Sequence, residues 1–369
     1  MRILEFITPS NIGGAENYLV NLSKKLKEKG HEVYILSSNP QNRKNPDLSV
    51  AEFLSKSGLP FKLVNIRFKY GPLAILKVLY FSKKNNIEII HTHLSKANVI
   101  GAAVSKILGI RSVATAHGLN KKSQYKYTGN IICVSNAVKE NLLSQGVNEK
   151  MLHVIYNGID AGRFNPNAEG LHKRGLDIAF KDKAGFNVGI IARLSYEKGV
   201  DLFLEAARLT LNKIPDSKFF IAGNGFLKDE LIKKADNLGI GNSVYFLGFV
   251  GDNLVSFINE LDVVVFPSLK EGLPLSLVES MSMEKVVIVS DAGGMPEVVE
   301  DGENGFIVKK GDIEGIYQKL VFVYNNKNIM EKMGKEARKT VEEKFNTVIM
   351  ADKIEDLFKT ILLNPSALP

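Results

Sequence analysis

Short apolar runs alternate with amphipathic stretches along nearly the whole chain, and this alternation limits the fold more than any single motif. The first half reads as strands at 2–8 (RILEFIT), 31–38, 87–93, 111–117, 130–135 and 152–158, with helices at 14–30, 97–108 and 136–145. The second half repeats the scheme, with strands at 186–193, 217–223, 244–249, 262–268 and 285–291 and a helix at 199–214. The strands are continuously apolar rather than alternating. That pattern belongs to parallel sheets covered by helices on both faces. The expected fold class is therefore α/β, with two doubly wound, Rossmann-like domains. If they face each other they leave a cleft, and in such sheets ligands sit beyond the carboxyl ends of the strands.

A chain of 369 residues suits two domains of roughly 150–200 residues each. The polar, Gly-rich stretch 160–185 reads as the linker. The expected boundaries are 1–165, 166–345 and a terminal amphipathic helix in 346–369 that returns to the first domain. The one cysteine, Cys133, lies in an apolar run and reads as a buried structural thiol. A lone cysteine forms no internal disulfide framework, which fits a reducing compartment. The N-terminus turns polar too early for a signal peptide, and no apolar run approaches the roughly 20 residues needed to span a bilayer. A soluble, cytoplasmic protein is expected.

Charge is unevenly distributed. Residues 1–170 hold 23 Lys and Arg against 11 Asp and Glu, whereas the whole chain holds 48 against 40. A basic first half suits an anionic partner, whether a membrane surface, nucleic acid or a phosphorylated substrate. Charge alone does not choose among them.

Several turns at strand ends carry polar chemistry. Arg193 and Lys198, in ARLSYEKG, place two cations at a strand-to-helix turn, an arrangement that suits a diphosphate. Glu271 follows the strand 262–268 in LKEGLP, and Glu279 lies farther on in the next helix, whose N-terminus is a natural phosphate site. Carboxylates accept hydrogen bonds from paired hydroxyls such as those of a ribose or hexose. Glycine turns at Gly223 and at Gly293-Gly294 let a ligand approach the backbone. In the first half, His91 and His93 end one strand and His117 ends another. A three-histidine metal site is disfavoured because no carboxylate follows the HTH motif. Gly13-Gly14 precede a helix, but GGAENY lacks the third glycine of a dinucleotide fingerprint, so a nicotinamide site is rejected.

Together these stretches resemble the family-4 retaining glycosyltransferases of GT-B architecture. The resemblance rests on EGLPLSLVE, ARLSYEKG, GGMPE and DGENGFIV in the second half, and on GGAENYLVNLSKKL, IIHTH, ATAHG, VSNAVKENL and YNGID in the first. It covers nearly the whole chain. It implies that Glu271 lies beside the donor sugar, that Glu279 holds the nucleotide ribose, and that Arg193 and Lys198 bind the diphosphate and assist its departure. The backbone of Gly272, Leu273 and Pro274 would line the sugar and phosphate site, joined by Gly223, and Gly248, Phe249 and Val250 would lie near the base. Gly13 and Gly14 would approach phosphates and acceptor. His93 and His117 would stand on the acceptor side, with His117 near the transferred sugar. Asn157 and Asp160 would organise the turn between domains.

The resemblance further implies a metal-independent enzyme without cofactor. It would move a sugar, with retention, from a nucleoside diphosphate donor, UDP favoured over GDP, to an acceptor hydroxyl. The expected acceptor is a glycan or lipid-linked molecule of the cell envelope, such as lipopolysaccharide or capsule. The basic first half would then face an anionic membrane rather than nucleic acid. Two other readings keep the same residues: an epimerase or hydrolase of nucleotide sugars, and a non-catalytic nucleotide-sugar-binding protein. A new or free sugar formed without acceptor would mark the first, and binding without turnover the second.

Overall fold

In a computed structural model of the protein, residues 1–9, 12–38, 50–66, 71–168 and 185–363 are described. Most of the linker stretch, and residues 67–70 of the basic-aromatic run IRFKYGP, lie outside them. Contacts divide the chain into two units, 1–158 with 347–369, and 159–346.

The first unit runs β1 (Arg2–Ile7), α1 (Gly14–Glu28), β2 (Glu32–Ser38), α2 (Val50–Lys56), β3 (Phe61–Val64), α3 (Pro72–Lys84), β4 (Ile89–His93), α4 (Ser95–Leu108), β5 (Arg111–Ala116), β6 (Asn130–Cys133), α5 (Asn136–Leu143) and β7 (Leu152–Val154). Its strands form one parallel sheet in the order β3-β2-β1-β4-β5-β6-β7. Even-numbered residues of β1, Leu4 and Phe6, pack with Ala74 and Val78 of α3 and with Ile100 and Val104 of α4. On the opposite face Ile7 packs with Leu19 of α1 and Leu54 of α2. Two apolar faces explain the near-continuous hydrophobic runs of these strands.

The second unit runs β8 (Asn187–Ile191), α6 (Val200–Lys213), β9 (Lys218–Ala222), α7 (Lys228–Asn237), β10 (Val244–Gly248), α8 (Leu254–Asn259), β11 (Val263–Phe266), α9 (Leu275–Ser282), β12 (Val286–Ser290), β13 (Phe306–Val308), α10 (Ile313–Asn325) and α11 (Lys327–Lys344). Its parallel sheet has the order β10-β9-β8-β11-β12-β13. The last helix, α12 (Thr347–Leu363), belongs to the first unit. There Glu355 pairs with Lys29 at 2.9 Å and with His31 at 2.9 Å, and Phe358 meets His91 edge-on.

The first boundary falls at Gly158–Ile159 rather than near 165. Ile159 bridges Asn346, and the carbonyl of the buried Phe164 accepts hydrogen bonds from Ser282 Oγ at 2.7 Å and Arg338 Nη1 at 3.0 Å. Residues 159–164 are thereby fastened to the second unit. Asp160 caps a turn there, its Oδ1 accepting from the N–H groups of Gly162 and Arg163, while Asn157 is buried in the first unit. The sequence reading named neither β3 nor β13; they are only four and three residues long and carry too little pattern.

Both strand orders reverse direction at one place. In the first sheet this lies between β1 and β4, in the second between β8 and β11. At such a switch point the flanking connections leave on opposite sides and open a crevice at the carboxyl ends.

Candidate active site

In the second unit, the loops leaving β8 and β11 carry Arg193–Lys198 and Glu271–Pro274. Backbone bonds lock these loops together. The Leu269 N–H donates to the Glu197 carbonyl at 2.8 Å, and the Gly294 N–H donates to the Gly272 carbonyl at 2.7 Å. The Leu194 N–H reaches the Asn224 carbonyl at 3.0 Å, and the Gly223 N–H reaches the Gly248 carbonyl at 2.7 Å. Gly293 sits at φ +58°, and a Cβ there would run into the carbonyl of Glu271. The GGMPE turn therefore braces the loop that holds Glu271. Gly223, at φ +141°, similarly leaves no room for a Cβ against the Ala192 carbonyl.

The side chains at this point are charged and mostly buried. Lys198 Nζ donates to Glu271 Oε2 in an ion pair. A small pocket opens beside it, lined by Lys198, Glu271, Ser268, Pro274 and Ser276. Pro274 is the N-cap of α9, so Gly272–Pro274 lead directly onto the free N–H groups of that helix. Arg193 does not join the pair. Its guanidinium is exposed and donates to Glu197 Oε1 at 2.8 Å, a partner the sequence reading missed.

Glu279 lies in α9 and is buried, with no group among the described residues bonding its carboxylate. Burial pushes its pKa up to about 7, and the more distant Arg163 only partly opposes this. A buried acid without a partner costs stability unless a ligand supplies donors. Phe249 and Val250 follow β10; Phe249 is substantially exposed.

In the first unit, His93 ends β4 and His117 follows β5. The structure joins them, His93 Nδ1 lying 3.1 Å from His117 Nε2. It also supplies the carboxylate that the HTH motif lacked. Glu5 of β1 stands in register with His91, and its oxygens lie 3.0 Å from His91 Nδ1 and 2.7 Å from His93 Nε2. Sequence reasoning missed Glu5 because it sits amid an apolar strand, though a glutamate in RILEFIT is itself the signal. Glu5, His91 and His93 hold their ligand atoms within 4.8 Å of one another. Each nitrogen facing the carboxylate is at hydrogen-bond distance from it, so N–H donation already satisfies the group. Burial raises the Glu5 pKa, but His91 and His93 outweigh it and bring it down to about 2. Gly13 precedes α1 in extended backbone that any residue adopts, and its N–H donates to Glu16 Oε2 at 2.8 Å. Gly14 begins the helix and is exposed.

Residues 12–163 match the family model "Glycosyltransferase Family 4", and residues 178–340 match "Glycosyl transferases group 1". A UDP-Gal:alpha-D-GlcNAc-diphosphoundecaprenol alpha-1,3-galactosyltransferase of Escherichia coli is 30% identical over 314 residues, covering 79% of this chain and 80% of that protein. The chain belongs to glycosyltransferase family 4. A capsular polysaccharide biosynthesis glycosyltransferase, CapM of Staphylococcus aureus, is 26% identical over 91% of this chain and 92% of its own. Among solved structures, Anabaena HepE in complex with UDP and glucose superposes with a TM-score of 0.84 at 21% identity, covering 98% of this chain and all of that one. The fold of this glycosyltransferase is thus GT-B, as its two parallel-sheet units require.

Proposed function

We propose that this glycosyltransferase moves a hexosyl or N-acetylhexosaminyl group from a UDP-sugar, with retained configuration, to the hydroxyl of a lipid-linked cell-envelope glycan. The observation that carries this reading is the partly buried Lys198–Glu271 pair at the β8/β11 switch point, next to the N-terminus of α9 and the unpartnered Glu279. The set matches what a nucleoside diphosphate sugar presents: two phosphates for Lys198 and the helix N–H groups, ribose hydroxyls for Glu279, sugar hydroxyls for Glu271. UDP is favoured because the E. coli relative uses UDP-Gal and HepE binds UDP. The names of that relative and of CapM likewise support a lipid diphosphate or capsular acceptor.

When the donor enters, its diphosphate competes for Lys198. The ammonium moves from one anion to another, and the released Glu271 carboxylate accepts from the sugar hydroxyls. In the transfer step the bond from the anomeric carbon to the diphosphate oxygen breaks, and the acceptor oxygen bonds the same face of that carbon. The acceptor proton passes to the departing phosphate oxygen. Lys198 stabilises the charge that develops there, with Arg193 joining once it leaves Glu197. No carboxylate attacks the sugar, and positioning supplies most of the remaining acceleration. The chain's residues supply all of these roles, so neither metal nor cofactor is invoked.

Thermal unfolding with UDP, GDP, ADP and their sugar conjugates tests the donor. A ligand at about 100 times its Kd adds roughly 2.7 kcal/mol, a readily visible shift in Tm. A shift with UDP compounds alone is expected. NMR of the transferred product should then show the donor's anomeric configuration. Absence of any nucleotide shift, or an inverted product, would overturn the reading.

A further inference from the structure

On one face of the first sheet, a continuous hydrogen-bonded line runs from Thr115 through His91, Glu5 and His93 to His117. Thr115 Oγ1 lies 2.7 Å from His91 Nε2, and the remaining contacts of the line are those given above. Glu5, His91 and His93 are fully buried, whereas His117 is only partly buried. Tyr18 of α1 closes the line from above, its ring edge-on to His93 at 5.6 Å and to His117 at 5.0 Å. Leu94, immediately after His93, sits at φ +69°, a conformation that a β-carbon makes unfavourable. Such strain persists where the surroundings over-determine a position, and it gathers at functional sites.

The direction of each bond follows from valence. A carboxylate only accepts, so His93 must present Nε2–H to Glu5. Burial first, and then the neighbouring His91, hold His93 neutral down to about pH 4, although Glu5 opposes this. Its Nδ1 is consequently a lone pair. That lone pair can bond His117 only if His117 carries its proton on Nε2. The other nitrogen of His117, Nδ1, is then an acceptor, and no group among the described residues bonds it. Burial and the two other histidines hold the His117 pKa well below its ordinary value, so the acceptor persists at neutral pH.

We infer that Glu5 and His93 are positioning residues that fix His117 as a hydrogen-bond acceptor, through Nδ1, for a hydroxyl of the sugar or acceptor. This rests on the transferase reading for its purpose, but not for its test. The arrangement selects a neutral hydroxyl donor and rejects a ligand that offers only acceptors. Tyr18, Thr115 and His91 complete the set of polar groups facing the pair.

The test is ¹⁵N NMR of the full chain labelled at histidine, with His117 assigned by loss of its signals in His117→Asn. At pH 7 the expected spectrum shows a one-bond N–H coupling at His117 Nε2, none at His93 Nδ1, and a coupling between those two nitrogens across the hydrogen bond. In Glu5→Gln the amide can donate to His93, which lets its proton move to Nδ1 and drives the His117 proton to its own Nδ1. That variant should lose at least tenfold in kcat with UDP binding unchanged. A proton on His117 Nδ1 in the native protein would overturn the inference. So would a folded Glu5→Gln variant with native tautomers or native turnover. If that variant does not fold, the native spectrum decides alone. A native protein with the expected tautomers but no transfer would reject the proposed activity and leave the assignment of His117 standing.

Discussion

Lys198 and Glu271 satisfy each other in the free protein, so neither can be judged from its charge alone. In the proposed mechanism, removing Lys198 would have two consequences: the departing diphosphate would lose its cation, and Glu271 would be left partly buried without a partner. Lys198→Ala should therefore lower kcat by two or more orders of magnitude, the range lost with one transition-state donor. The fold should survive, since the pair stands at a loop rather than in the core, and circular dichroism together with turnover assays would check both statements. Turnover near native would remove Lys198 from the mechanism. Glu279 makes a different prediction. Its folded pKa is raised from 4.5 to about 7, so the free protein favours the acid. That contribution to stability is complete below about pH 4.5 and is lost as the pH rises through 7. In the proposed role ribose hydroxyls would donate to the carboxylate, so donor binding should expel about half a proton at pH 7 and tighten from pH 6 to 8. A UDP-hexose has no phosphate ionisation in that range. Titration calorimetry in buffers of different ionisation enthalpy should show the released proton, and Glu279→Gln should abolish it.

At the scale of elements, the turn after β12 is what keeps the loop after β11 in place. Gly293→Ala would demand a left-handed backbone from a residue with a β-carbon, costing on the order of 1–2 kcal/mol, and would push on the Glu271 carbonyl as well. The protein should stay folded with KM for the donor raised at least tenfold, measured by initial rates; an unchanged KM would mean that the brace does not set the sugar site. Helix α3 carries the other element-scale feature. Ala74, Val78 and Ser82 face inward, while Leu73, Leu76 and Tyr80 are exposed on a face that also bears Lys77, Lys83 and Lys84. An exposed apolar stripe flanked by lysines suits the interface of an anionic bilayer. Replacing Leu73, Leu76 and Tyr80 together by Ser should leave Tm nearly unchanged, because the side chains are already in water. It should weaken binding to anionic vesicles at least tenfold in a flotation assay. Unaltered binding would move the contact elsewhere on the unit.

At the scale of the whole molecule, the sheets were legible because parallel strands covered on both faces must be continuously apolar, and RILEFIT, NIICVS and DVVVFPS announce themselves. The charged turns were legible through residue type and spacing. What stayed hidden was pairing across long separations. Nothing local says that Lys198 meets Glu271, or that Glu5 meets two histidines some 86 residues away. Those contacts are created by strand order. Helix α3 escaped because its apolar residues run nearly all round it, which blurs the period that marks a helix.

The molecule also divides its charge along the same line as its fold. The first unit holds 24 Lys and Arg against 12 Asp and Glu, the second 24 against 28. Among the described residues no helix is long and apolar enough to cross a membrane. If the acceptor is lipid-linked, surface charge reinforced by α3 is a source of attraction to the bilayer. Each basic residue near an anionic surface contributes about 1 kcal/mol, and the effect fades beyond a screening length of roughly 10 Å at 0.1 M salt. Binding of the intact protein to vesicles with anionic lipid should therefore fall steeply as salt rises from about 0.05 to 0.5 M, with screening shortened accordingly. Vesicles of neutral lipid alone should bind far less at every salt concentration. Equal binding to both, insensitive to salt, would show that the basic unit meets something other than a lipid surface, and salt-dependent affinity for nucleic acid would then be the measurement to make.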